Sequence, residues 1–232
     1  MPGLEGVPCD PPVARQKPVT RSSVVKYCWF ISVNPIHTWP YNISVNEKTI
    51  ESTFRELIKA IGEDPEREGL ARTPERIAEL YRHIFSGVGR DPMEVFRFYT
   101  VENYDEMVVV KDIDFFSVCE HHFLPFFGKA HIAYIPDEGR ITGAMNLIDV
   151  LEVFSHRPTI QERLTTDVAD FLYKNLKPMG VLVVTEARHL CLEMTGKEKP
   201  GTKIVASAMR GYLRKAASRA EALRLIGRLS LE

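Results

Sequence analysis

The chain has 232 residues, enough for one large or two small domains with a well-buried core. Apolar residues make up 44% and charged residues 26%, and 30 Lys and Arg against 31 Asp and Glu leave a formal net charge of −1. That balance offers no basic field to nucleic acid, and no apolar run approaches the roughly 20 residues that span a bilayer. The apolar run YCWFISV near the N-terminus is short and lacks a small-residue cleavage site after it, so it does not read as a signal peptide and a cytoplasmic protein is expected.

Residues 1–45 carry many prolines, isolated aromatics and no period, which reads as an irregular or partly disordered arm. From Asn46, a helix N-cap, the residues Ile50, Phe54, Leu57, Ile58 and Ile61 fall at helical spacing. A second helix starts at Thr73-Pro74, carries Ile77, Leu80, Tyr81 and Ile84 on one side, and ends at the Ser-Gly-Val-Gly of 86–89. Residues 106–113 and 128–135 are rich in β-branched residues and predict strands. Two helices follow, one with Leu147, Val150, Leu151 and Phe154 inward, the next with Ile160, Leu164, Val168, Phe171, Leu172 and Leu176 inward. Residues 181–194 and 203–209 again predict strands, and a last helix covers about 216–228. Paired strands with grouped helices indicate an α+β fold with a mostly antiparallel sheet.

Four cysteines, Cys9, Cys28, Cys119 and Cys191, do not make the dense pattern of a secreted disulfide scaffold. Cys119 opens the stretch Cys-Glu-His-His, in which Cys119 and His122 have the spacing that lets two ligands of one turn reach one ion. On the expected strand around Cys191, alternation puts His189, Cys191, Glu193 and Thr195 on one face and Leu190, Leu192 and Met194 on the core face. Cys119, His122 and Cys191 would then form a Cys₂His set, which leaves the fourth position of tetrahedral zinc open for catalysis. His121 and His189 remain as unligated imidazoles suited to moving protons near neutrality. The competing reading makes Cys191 a small buried hydrophobe and the histidines ordinary hydrogen-bonded residues.

The segments CEHHFLPFFGKAHIAYIP, RPTIQERLT (157–165), ARHLCLEM (187–194) and SAMRG (207–211), with Thr73-Pro74-Glu75-Arg76, come in the order and at about the spacing of the GTP cyclohydrolase I family. The resemblance covers roughly residues 47–229. It implies the tunnelling fold, a four-stranded antiparallel sheet with two helices packed on it, for a domain of residues 46–232. That domain would have a helical part at 46–100 and a tunnelling-fold part at 101–232. It implies rings joined sheet to sheet, most simply a homodecamer, with active sites between subunits. It further implies a Zn²⁺ cofactor on Cys119, His122 and Cys191, proton transfer by His121 and His189, and a purine nucleotide substrate. Glu162 and its neighbour Gln161 match the family's base-recognition positions. A carboxylate suits guanine because N1–H and the 2-amino group lie side by side; the bland alternative is an exposed Glu favoured at a helix start.

Other positions depart from the family pattern. Where the family has Gly-Leu-Ser-Lys and then an Arg, this chain has Gly143-Ala144-Met145-Asn146 and Asp149; Thr195 stands where another Arg is expected. In the family these cations bind the triphosphate. Losing three charge-assisted contacts would cost on the order of 5–9 kcal/mol of triphosphate binding unless Arg76, Lys197, Lys199 or Lys203 compensate. Three readings follow: a zinc-dependent cyclohydrolase acting on GTP, a paralogue opening the same ring in a purine nucleotide or nucleoside without a triphosphate, and a non-catalytic zinc-binding ring.

Overall fold

The computed structural model describes residues 45–195 and 199–227. The expected N-terminal arm up to residue 44, and Lys197, lie outside the described residues. Helix α1 (Glu47–Ala60) starts where the Asn46 side chain accepts from the Thr49 N–H at 3.0 Å, with Glu47 in the first turn and Lys59 in the last. Helix α2 (Thr73–Ile84) begins one residue earlier than the sequence suggests. Thr73 is already inside the turn and Arg72 takes the cap position without a side-chain bond.

A two-residue strand β1 (Tyr99–Thr100) pairs with β4 (Arg140–Ile141). Between them run β2 (Val108–Cys119) and β3 (Pro125–Ile135). Helix α3 (Ala144–Ser155), the short β5 (Pro158–Thr159) and helix α4 (Gln161–Asn175) follow. Then come β6 (Gly180–His189), the single turn α5 (Leu190–Glu193), β7 (Lys203–Gly211) and α6 (Ala216–Ile226). The main sheet has the order β5-β2-β3-β6-β7. Its four long strands are antiparallel, as the sequence indicates; the two-residue β5 adds a fifth, parallel to β2.

The strand β6 is shorter than expected. Alternation in His-Leu-Cys-Leu-Glu is equally compatible with one helical turn, and the chain leaves the sheet at His189. Cys191 is therefore held by a turn at the strand end instead of by the strand. Leu192 packs against the core as expected, but Met194 does not and is 66% exposed.

One face of the sheet packs Phe115, Phe126, Ile132 and Val183 against Leu147, Leu151, Leu164 and Leu172 of α3 and α4. The other face packs Ala133, Leu182 and Val184 against Leu213 and, on α6, Ala222 and Ile226. Burying each of these large side chains contributes about 1.5–3 kcal/mol. At Gly128 the backbones of β3 and β6 come so close that a Cβ would lie 1.9 Å from the Glu186 carbonyl oxygen, so only glycine fits.

The turn after α2 is tied to the end of α3. Ser86 Oγ lies 3.1 Å from His156 Nδ1, and the Gly87 N–H donates to the His156 carbonyl at 3.0 Å. Arg157 Nε donates to the Gly87 carbonyl at 2.7 Å. His156 is buried beside the Phe116 ring at 4.7 Å. Burial, then the charges of His83 and Arg90, hold its imidazole down to about 4 from an ordinary 6.5.

A histidine that titrates lower in the folded state binds fewer protons than in the unfolded chain across that interval, so stability is complete above 6.5 and falls with pH. The loss should reach about 3 kcal/mol once pH is below 4. Urea midpoints measured across pH 6.5 to about 4 should therefore decline more steeply for the wild type than for His156→Gln. Parallel curves for the two proteins would show that burying neutral His156 is not the cause.

Candidate metal centre and its surroundings

The end of β2 and the end of β6 lie on either side of β3, and Phe126 of β3 pairs with His189 of β6. Beyond β2 the chain doubles back. The Cys119 N–H donates to the Leu124 carbonyl at 2.9 Å, and the Phe123 N–H to the Cys119 carbonyl at 2.8 Å, with Phe123 in the left-handed region at φ 55°. This turn returns His122 over Cys119. From the other side, α5 supplies Cys191. One ligand atom each from Cys119, His122 and Cys191 lie within 4.8 Å of one another. The set combines two thiols and an imidazole, the donors that suit zinc, and both cysteines are buried while His122 is exposed. Burial and the adjoining Cys119 thiol push the Cys191 thiol up. A cation between the two sulfurs would reverse that preference, because it stabilises thiolate.

Two Arg–carboxylate pairs fasten the two ligand turns. Glu120 meets Arg163 of α4 through two contacts of 2.5 and 3.2 Å, and its N–H donates to the Thr159 carbonyl at 3.1 Å. Arg188 and Glu193 bracket His189 and Cys191 through two contacts of 2.8 and 2.7 Å. The Arg188 guanidinium also lies 5.9 Å from the centre of the Phe127 ring. Forked pairs of this kind fix geometry more than they add stability, since these groups are partly exposed. Sequence reasoning missed both pairs; charge order along a chain does not reveal which turn will close.

His121 places Nδ1 4.0 Å from the Cys119 sulfur. His189 is buried, stacked on Phe126 with ring centres 4.6 Å apart and 3° between planes. Burial pushes its imidazole down, and the charge of Glu162 opposes this, which places that carboxylate within electrostatic reach. Glu162 itself is exposed at the start of α4. The sequence expects Gln161 to touch substrate beside Glu162. In the structure Gln161 is wholly buried and its amide is engaged by Thr185, Ile204 and His189, so it lies beneath the site instead of in it.

At the other expected end, Met145 is 64% exposed and Asn146 and Asp149 are half-buried on α3, near its start. Burial, then the charge of Asp149, pushes the nearby Glu152 carboxyl up, and the charge of Arg90 opposes this. Thr195 does not share a strand face with Cys191. Its hydroxyl turns back to donate to the Cys191 carbonyl at 2.8 Å. Lys199 is exposed, as is Arg76 on α2.

The GTP cyclohydrolase I family model matches residues 50–227. The chain is 51% identical over 187 residues to a GTP cyclohydrolase 1 of Carboxydothermus hydrogenoformans, covering 80% of this chain and 97% of that one. It is 52% identical to that of Pelotomaculum thermopropionicum over 182 residues, with 78% and 97% covered. It is 50% identical to that of Bacillus subtilis over 185 residues, with 79% and 97% covered.

If the three ligand atoms hold one ion, purified protein should carry about one zinc per chain, and Cys119→Ala or Cys191→Ala should each release it. Elemental analysis decides this, and full zinc content in both variants would exclude the ligand set.

Proposed function

Because this chain belongs to the GTP cyclohydrolase I family, whose members are hydrolases, we propose that it opens the imidazole ring of guanine in GTP at C8. Water adds at C8 and formate leaves; the ribose carbon skeleton then rearranges and condenses with the freed amine, losing water, to give dihydroneopterin triphosphate, a step toward pterins and folates. The observation that carries this reading is the convergence of Cys119, His122 and Cys191 with two further imidazoles where β2 and β6 end.

Cys119, His122 and Cys191 would hold the zinc, which supplies a water acidic enough to ionise near neutral pH. The remaining work falls to the chain. Glu162, exposed at the head of α4, accepts from guanine N1–H and the 2-amino group and so sets which edge of the base enters. His121, beside the Cys119 sulfur, and His189, buried against Phe126, exchange protons with the ring nitrogen and the ribose oxygen as the bonds break. The Glu120–Arg163 and Arg188–Glu193 pairs keep both ligand turns in register with those groups.

The long edges of the sheet support an oligomer. Among the described residues β7 has no strand on its outer side, and β2 is covered there only at Val118 and Cys119. Unpaired edges of this length favour pairing with another copy, consistent with rings stacked as a decamer. No described helix is long and apolar enough to cross a membrane, and a cytoplasmic enzyme fits this reading.

A second reading has its own observation. Asn146, Asp149 and Thr195 occupy positions where the resemblance expects cations around a triphosphate. A guanine compound with fewer phosphates would need fewer cationic partners there.

Purified protein assayed against GTP, GDP, GMP and guanosine, by formate release and pterin fluorescence, separates the readings. Efficient turnover of GTP supports the first. Under the second, Asn146→Lys, Asp149→Arg and Thr195→Arg together should raise kcat/KM for GTP relative to the less phosphorylated compound, and salt should shrink the gain. Under either, Glu162→Ala should lower kcat/KM on every guanine substrate by on the order of 10²- to 10⁴-fold, the loss of two charge-assisted bonds. Formate release unaffected by Glu162→Ala would remove it from base recognition.

A further inference from the structure

The heavy atoms beneath His189 fix where each proton lies. Gln161 Nε2 sits 3.0 Å from the Thr185 carbonyl, 3.0 Å from the Thr185 hydroxyl and 3.0 Å from the Ile204 carbonyl. Backbone carbonyls only accept. Turning the amide round would set its oxygen against both of them, so the orientation has one solution. Gln161 Oε1 therefore faces His189 Nε2, at 2.8 Å, and has no proton to give. The proton on that bond belongs to His189. The rest of the chain closes consistently. Thr185 Oγ1, accepting from Gln161, donates to Thr165 Oγ1 at 2.7 Å, and Thr165 donates to the Gln161 carbonyl at 2.7 Å. Stacking on Phe126 holds the imidazole in the plane this bond requires.

We propose that Gln161 is a positioning residue that fixes neutral His189 as its Nε2–H tautomer, leaving Nδ1 as the ring nitrogen that takes up and delivers the proton. The proposal rests on the reading of His189 as a proton-transfer group. It gives that group one working atom and one direction. It also gives a buried glutamine a task distinct from filling space: an amide anchored by two carbonyls cannot turn to accommodate the other tautomer. Gln161 opens α4 immediately before Glu162, so the same anchor sets the tautomer and the start of the base-binding helix.

The test reads the tautomer directly, without substrate. Zinc-loaded full-length protein is prepared with isotope-labelled histidine, and the His189 ring signals are identified as those lost in His189→Asn. A pyrrole-type Nε2 with a pyridine-type Nδ1 is expected in the wild type. A proton on Nδ1, or an even mixture of tautomers, overturns the proposal. Gln161→Met removes the acceptor and should redistribute the tautomers, lowering kcat by about 10²-fold with zinc content unchanged. An unchanged tautomer in that variant also overturns it. Thr185→Val removes a hydroxyl but keeps both carbonyl anchors, and should retain the wild-type tautomer. Should Gln161→Met fail to fold, the wild-type and Thr185→Val signals decide. Normal turnover by His189→Asn would instead overturn the proton-transfer reading of His189, and with it the purpose of the anchor.

Discussion

Three acceptors on β6 and β7 grip one side-chain amide, that of Gln161, and the chemistry-bearing groups are arranged around that grip. An amide buried without partners would cost about 1–3 kcal/mol or more, so its satisfaction is a condition of folding as well as of function. Once it is met, α4 can start at only one height against the sheet. Glu162 then emerges into solvent one residue later, and Arg163 reaches the Glu120 carboxylate on the opposite ligand turn. A single polar residue thus sets the relation between the helix layer and both ends of the metal-competent cluster.

Much of the scaffold is legible in the sequence because it follows periodicity. The β-branched runs give four long strands, the i, i+4 stripes give α1 to α4, and Asn46 caps its helix as its side chain dictates. The chain after His189 is misread for a physical reason. Its apolar and polar residues alternate over too few positions to separate a strand from one helical turn, and the Arg188–Glu193 pair that closes the turn acts through space. The convergence of Cys119, His122 and Cys191 was suggested by residue type and resemblance, since no local rule brings a cysteine across two strands. Gln161 shows the limit most clearly. At a helix start beside Glu162 it looks like a second surface contact, and only the placement of β6 and β7 reveals a buried anchor.

The two ends of the candidate site obey different constraints. Around the cysteines, burial raises the cost of charge, and the groups that remain charged come as forked pairs. Along α3, Met145 is exposed and Asn146 and Asp149 are half-buried, so these three lie outside the core formed by Leu147 and Val150. Under the proposed function, substitutions on the α3 surface would change phosphate preference without touching the buried metal-competent residues. The fold separates the two by placing one at strand ends and the other on a helix surface.

The close approach at Gly128 has a consequence beyond packing. Two positions further along the same strand pair, Phe126 lies opposite His189 with their rings in contact. A methyl group at 128 would have to part β3 from β6, and strands parted there would lift one ring from the other. A survey of random mutants scored only by turnover would therefore mark position 128 as though it belonged to the reacting centre. Its influence would be purely one of spacing, transmitted along the backbone by a residue that has no side chain to offer.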